Sequence, residues 1–195
     1  FIMNYQYDEL DQEISELYNE IDSLLIKQYK LNSQEKSLLD YTLNISIPLR
    51  TYKRYDEIFR KLNCNDTILE DYAQVFLNHF GVIYNKNGFS FEIEIIHSNH
   101  TIAMYFRVIA DNFNSTKRIT WSQKGYKDLL SSFSKLSFQN IGQDLFIQKD
   151  IKGFEEDGFY IIKPNEYKSW HTALAYLDLS EFIEALHNSN SNIDG

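Results

Sequence analysis

The runs FSFEIEIIH (89–97) and TIAMYFRVIA (101–110) are separated only by Ser98, Asn99 and His100. In the first, Phe89, Phe91, Ile93 and Ile95 alternate with polar residues, Glu92 and Glu94 among them. A period of two places the apolar set on one face of a half-buried strand. So short a connector brings the second run back as its antiparallel partner. The pair predicts a β-hairpin whose apolar face needs a cover.

Helical patterns supply that cover. DTILEDYAQVFLNHFGVIY gathers Ile68, Tyr72, Val75, Phe76 and Phe80 on one face, with Gly81 as a stop. YDEIFRKL, GYKDLLSSFSKLSF and LSEFIEALHN read as further helices, the last announced by Asp178 and Glu181 in a capping-box spacing. LNSQEKSLLDYTL is a helix capped by Asn32 and Glu35, and NISIPL after it reads as extended, with Pro48 at its limit. NKNG is a turn. KRITW, DLFIQKDI and GFYIIKP are strands, the last two joined by a KGFEEDG turn, and NSNSNIDG is a frayed tail. The expected fold is α+β: N-terminal helices followed by an antiparallel β-sheet with packed helices. Residues 1–41 form a helical arm or hairpin and 42–195 the α+β module.

The arm carries Leu10, Ile14, Leu17, Ile21 and Leu24, spaced alternately by four and three. That is the narrow seam of a coiled coil or helical hairpin. Asp8, Glu9, Asp11 and Glu13 lie early and Lys27 and Lys30 late, the direction the helix dipole favours. Either the helix packs on its own domain or it docks on another chain or on a missing domain.

Composition bounds the function. No apolar run reaches the roughly 18–20 residues of a membrane span, so no membrane role is expected. The start, FIMNYQYDEL, lacks the pattern of a signal peptide, and Phe1 and Ile2 before Met3 suggest a piece of a longer protein. Cys64 is the only cysteine; it can form neither an internal disulfide nor a Cys-rich zinc site, so a cytoplasmic location is expected. A net charge of −9 argues against a free-standing nucleic-acid binder, though not against a module within a DNA-acting enzyme. The chain has no GxxxxGK[ST] loop, no GxGxxG and no GxSxG, so no cofactor is expected.

Other chemistry has raw material but no pattern. His97 and His100 would need further ligands, such as His171, to hold a metal, and as turn residues they read as solvated. Glu92 and Glu94 share a strand face, where paired carboxylates can do acid–base work or simply meet solvent. A metal-dependent nuclease could draw on Asp144, Asp150, Glu155, Glu156, Asp157, Glu166 and Lys168, at no recognisable spacing.

KPNEYKSWH (163–171) is the densest cluster. Pro164 ends a strand and Asn165 favours a turn. Lys163 and Lys168 stand near Trp170 and His171, so cations beside aromatics can grip a phosphate or an acidic partner. Alternatively, Trp170 caps the core and the lysines solvate the turn. The candidate nucleic-acid or partner-binding residues are Lys163, Asn165, Lys168, Trp170 and His171.

EIDSLLIKQYKLNSQEKSLLDY, through Ile21, Asp22, Leu24, Tyr29, Leu31, Glu35 and Leu39, resembles a segment near the C-terminal end of bacterial adenine-specific (N6) DNA methyltransferases of restriction-modification type. LFIQKDIKGFEEDGFYIIKPNEYKSWHTALAYLDLSEF is similar to C-terminal extensions of the same defence-related proteins. Their catalytic Asn/Asp-Pro-Pro-Tyr/Phe motif is missing, since Pro48 and Pro164 are the only prolines. The resemblance implies a non-catalytic accessory module that positions DNA or holds a methyltransferase or other protein subunit. The alternatives are a small metal-dependent nuclease of such a system and a purely protein-binding module using the N-terminal helix.

Overall fold

The computed structural model describes residues 14, 16–18, 20–85, 88–110, 118–123, 150–155 and 157–191. Residues 14, 16–18 and 20–28 are helical and are denoted α1. α2 (Ser33–Tyr41), a π-helical segment (Thr42–Ser46) and α3 (Ile47–Arg50) follow as one run. Then come α4 (Tyr55–Ile58), α5 (Thr67–Tyr84), β1 (Phe89–His97), β2 (Thr101–Ala110), β3 (Ile119–Gln123), β4 (Ile151–Glu155) and β5 (Gly158–Pro164). A 3₁₀ turn (Tyr167–Ser169) leads into α6 (Thr172–Ser191). No helix among the described residues is long and apolar enough to cross a membrane.

The α+β architecture and the hairpin are as expected, with Phe89 opposite Ala110 and His97 opposite Ile102. The sheet order is β3-β1-β2-β5-β4. It is mixed rather than wholly antiparallel, because β3 runs parallel to β1, pairing Ile93 with Ile119. β5 pairs antiparallel with both β2 and β4.

One face of the sheet meets α5 and α6. Phe91, Ile93, Ile95, Ile102, Met104, Phe106, Phe159 and Ile161 are buried there against Tyr72, Phe76 and Phe80 of α5 and Phe182 of α6. The centre is aromatic: ring centroids lie 4.7 Å apart for Phe106–Phe159, 4.3 Å for Phe159–Phe182 and 4.4 Å for Phe76–Phe106. Such rings are worth more packed edge or offset than their area alone. Ile96, Ala103, Tyr105, Tyr160 and Ile162 form a smaller cluster on the opposite face.

Several local expectations change. NISIPL is helical, not extended. The Ile47 N–H donates to the Thr42 carbonyl, five residues back, so the turn is wide where the Pro48 ring would crowd the carbonyl of Asn44. Ile45 and Pro48 are buried by this turn, which outweighs the local bias against helix. The expected boundary at residue 41 falls within the run. Asn32 and Glu35 do form their reciprocal cap, at 3.0 and 2.8 Å. Of YDEIFRKL only Tyr55–Ile58 is helical, and α5 continues past Gly81 to Tyr84. β4 includes Lys152–Glu155, expected in a turn, because these residues pair with Gly158–Ile161. α6 begins at Thr172, so Asp178 lies inside the helix and caps nothing. GYKDLLSSFSKLSF and most of DLFIQKDI lie outside the described residues.

Gly158 is set by contact rather than by backbone angle. A Cβ there would stand 1.9 Å from the carbonyl oxygen of Phe106 on the neighbouring strand. Gly158→Ala would force β2 and β5 apart and is expected to cost about 2–4 kcal/mol. Thermal unfolding followed by circular dichroism measures this directly.

Candidate functional site

Strand parity decides where the KPNEYKSWH cluster faces. Phe159, Ile161 and Lys163 alternate on β5, so Lys163 shares the face that meets the helices. Its side chain is only 5% exposed. On α6, Ala175, Asp178, Leu179 and Phe182 follow the i, i+3, i+4, i+7 spacing of a buried stripe, which aims Asp178 at the sheet.

Lys163 and Asp178 meet there as a buried ion pair. The Tyr72 hydroxyl donates to the same Asp178 oxygen that Lys163 engages. The ammonium lies 5.2 Å from the centroid of the Tyr72 ring and 5.8 Å from that of Trp170. From β4, Lys152 reaches the other Asp178 oxygen and Glu181, each at 2.5 Å, and Asp150 at 3.4 Å. Each of these carboxylates therefore has an ammonium partner. Among the described residues no group of three or more His, Cys, Asp or Glu side chains is placed to hold a metal.

Asn165 ties three segments together. Its Oδ1 accepts from the Leu62 N–H at 2.8 Å, and its Nδ2 donates to the carbonyls of Leu62 at 3.2 Å and Ser98 at 2.9 Å. Its own N–H donates to the His100 carbonyl at 2.8 Å. Trp170 is fully buried, and its Nε1–H donates to the Pro164 carbonyl at 3.0 Å. The His171 Nδ1 accepts from the Ala173 N–H at 3.2 Å, so Nε2 carries the proton and donates to Asp40 at 2.8 Å. The ring thus caps α6 and anchors α2. Lys168 is the most open of the five, one quarter exposed, bonded to Glu166 at 2.5 Å and 4.0 Å from the Phe59 ring centroid.

The structure brings these five residues into one neighbourhood, four of them buried. A cleft of about 390 Å³ opens beside them, lined by Tyr41, Lys152, Lys163, Lys168, Asp178 and Glu181 among others. A second cleft of about 490 Å³, lined by Phe80, Tyr84, Phe154, Glu155 and Asp157 among others, lies at the β4–β5 turn. Elsewhere, His97 Nε2 is engaged by the Leu62 carbonyl at 2.8 Å. Glu92 accepts from Ser90, while Glu94 accepts from Ser122 and pairs with Arg107 at 3.6 Å. Asp178, Tyr72 and Lys152 were not among the expected site residues. Helix periodicity across residues 175–182 and the alternation of β5 carry the signal for the first.

No family model, curated protein or solved structure matches this chain.

The environment shifts several groups. Burial pushes Lys163 below the ordinary lysine value, and Asp178 only partly offsets it. Burial also draws Lys152 down, but its hydrogen bonds to Asp178 and Glu181 prevail and raise it. Tyr72 is held well above the ordinary 10.0 by burial first, then by the Asp178 charge and hydrogen bond.

Two outcomes follow. Asp178→Asn leaves the buried Lys163 short of its counter-charge, while Lys152 keeps Glu181 and Asp150, and is expected to cost about 3–5 kcal/mol; Lys163→Met with Asp178→Leu recovers most of that. Urea unfolding of the three proteins checks both. The second outcome concerns pH. Raised tyrosines and Lys152 contribute stability that is complete below about pH 10 and is lost above it, because the unfolded chain releases those protons first. Lys163 acts oppositely, adding stability as pH rises toward the unfolded lysine value, but it is one group against several. Stability should therefore fall above pH 10, and more shallowly in Tyr72→Phe, as read from unfolding midpoints across the alkaline range.

Proposed function

We propose that this chain is a non-catalytic module of a bacterial DNA restriction-modification system, and that its part is to hold a protein subunit. The observation that carries the reading is the row Ile14, Leu17, Ile21 and Leu24 on α1, every member of which is exposed. Leu39, Leu43 and Ile47 add exposed apolar surface on the α2–α3 run. An exposed apolar row on one helix face is what a partner covers.

The polar cluster supports the same reading by its inward direction. Lys163 is engaged by Asp178, and Asn165, Trp170 and His171 are buried in local bonds. Lys168 remains the member best able to meet a phosphate, in keeping with a minor role in positioning DNA. The resemblance to C-terminal regions of adenine-specific DNA methyltransferases names the kind of subunit that would be held.

Co-expressed with the adenine-specific methyltransferase of its own genome, the intact chain should purify with it in fixed stoichiometry. Ile21→Asp with Leu24→Asp should break that complex. The isolated chain should bind duplex DNA no tighter than about 10 μM at physiological salt, by fluorescence anisotropy. Turnover of DNA by the isolated chain, or tight binding that disappears with Lys168→Ala, would contradict the reading.

A further inference from the structure

Resting on that docking role, the spacing and charge of α1 identify what covers its exposed face while no other subunit is held there. We infer that α1 pairs antiparallel with α1 of a second copy of this chain. An exposed helix of this size is marginal in water unless its apolar face is covered, since isolated helices shorter than about 12–15 residues barely form. On α1, Leu17 is 59%, Ile21 50% and Leu24 60% exposed.

The spacing assigns heptad positions. Ile14 and Ile21 fall at a, and Leu17 and Leu24 at d. Glu20 and Lys27 then occupy g, and Tyr18 and Leu25 occupy e. In an antiparallel pair each a residue faces a d residue, g flanks g and e flanks e. Placing Ile21 against Leu24 of the second copy sets the remaining contacts. Glu20 meets Lys27 of the second copy, and Tyr18 meets Leu25 of the second copy. A two-fold axis repeats every contact, so the ion pair and the apolar flank each form twice. Leu17 lies against Gln28 of the second copy, and this polar position resists a slip of register.

The parallel arrangement wastes the same residues. It sets g against e, so Glu20 lies beside Leu25 of the second copy and Lys27 beside Asn32. It also crowds both folded bodies at one end of the pair. The antiparallel arrangement leaves them at opposite ends, separated by roughly the 20 Å that a helix of this length spans.

The test is light scattering and sedimentation of the full chain across about 1–100 μM. The wild type should move from monomer to dimer in that range. Ile21→Asp with Leu24→Asp should stay monomeric and lose part of the helical far-ultraviolet circular dichroism, since α1 is then uncovered. The near-ultraviolet spectrum of the aromatic core should stay unchanged, because both side chains are exposed and outside that core. Glu20→Lys should weaken the dimer by about tenfold, and Glu20→Lys with Lys27→Glu should restore it. A dimer that survives the aspartate variant, or a charge swap that fails to restore, overturns the pairing. So does a wild type that stays monomeric throughout. If that monomer still binds the methyltransferase through Ile21 and Leu24, self-pairing falls while the docking role stands; if it does not, both fall.

Discussion

A lysine and an aspartate facing each other between sheet and helix set the terms for the rest of this molecule. Lys163 projects from β5 and Asp178 from α6, and Tyr72 of α5 joins them. The three elements around this point therefore have one polar register in which all charges are matched. An ion pair so deeply placed adds little net stability over a well-packed apolar substitute, because desolvation offsets much of the attraction. Its physical effect is selective. A slide of α6 along the sheet by one turn would strand both charges without partners. Asn165 does the same for the loops, meeting backbone groups of Leu62 and Ser98.

This inward arrangement governs how function is read. Residues that look like a binding patch in one dimension are, in three, largely engaged by other parts of the fold, Lys163 by Asp178, Asn165 by Leu62 and Ser98, and His171 by Asp40. Lys152 draws Asp150, Asp178 and Glu181 toward an ammonium. Among the described residues, the exposed apolar surface includes the open row on α1 and Leu39, Leu43 and Ile47 of the α2–α3 run. The proposed role in assembly draws on these exposed apolar side chains and leaves the buried Lys163–Asp178 pair to the fold.

Much of the fold was legible in the residues. Strict alternation in 89–97 specified β1, and the three-residue connector specified its partner. Asn32 and Glu35 specified the cap of α2. The misreadings have local causes. NISIPL contains β-branched residues and Pro48, yet a wide π turn accommodates the ring and buries Ile45. Asp178 and Glu181 have the spacing of a helix start, but the stripe Ala175, Leu179 and Phe182 runs through that point without a break. Of the site, the neighbourhood was legible and its direction was not. Reading Phe159, Ile161 and Lys163 as one strand face would have turned Lys163 inward. Its counter-ion depends on how α6 crosses the sheet, which no local pattern encodes.

The inward position of Lys163 is measurable by its reactivity. Folded protein treated briefly with an amine-acylating reagent, then digested and weighed by mass spectrometry, reports each lysine separately. Lys36, Lys53 and Lys61, all exposed, should acylate readily, while Lys163 stays unmodified until the chain is unfolded. Acylation of Lys163 at the rate of those three would show that it faces solvent, and would contradict a buried pairing with Asp178.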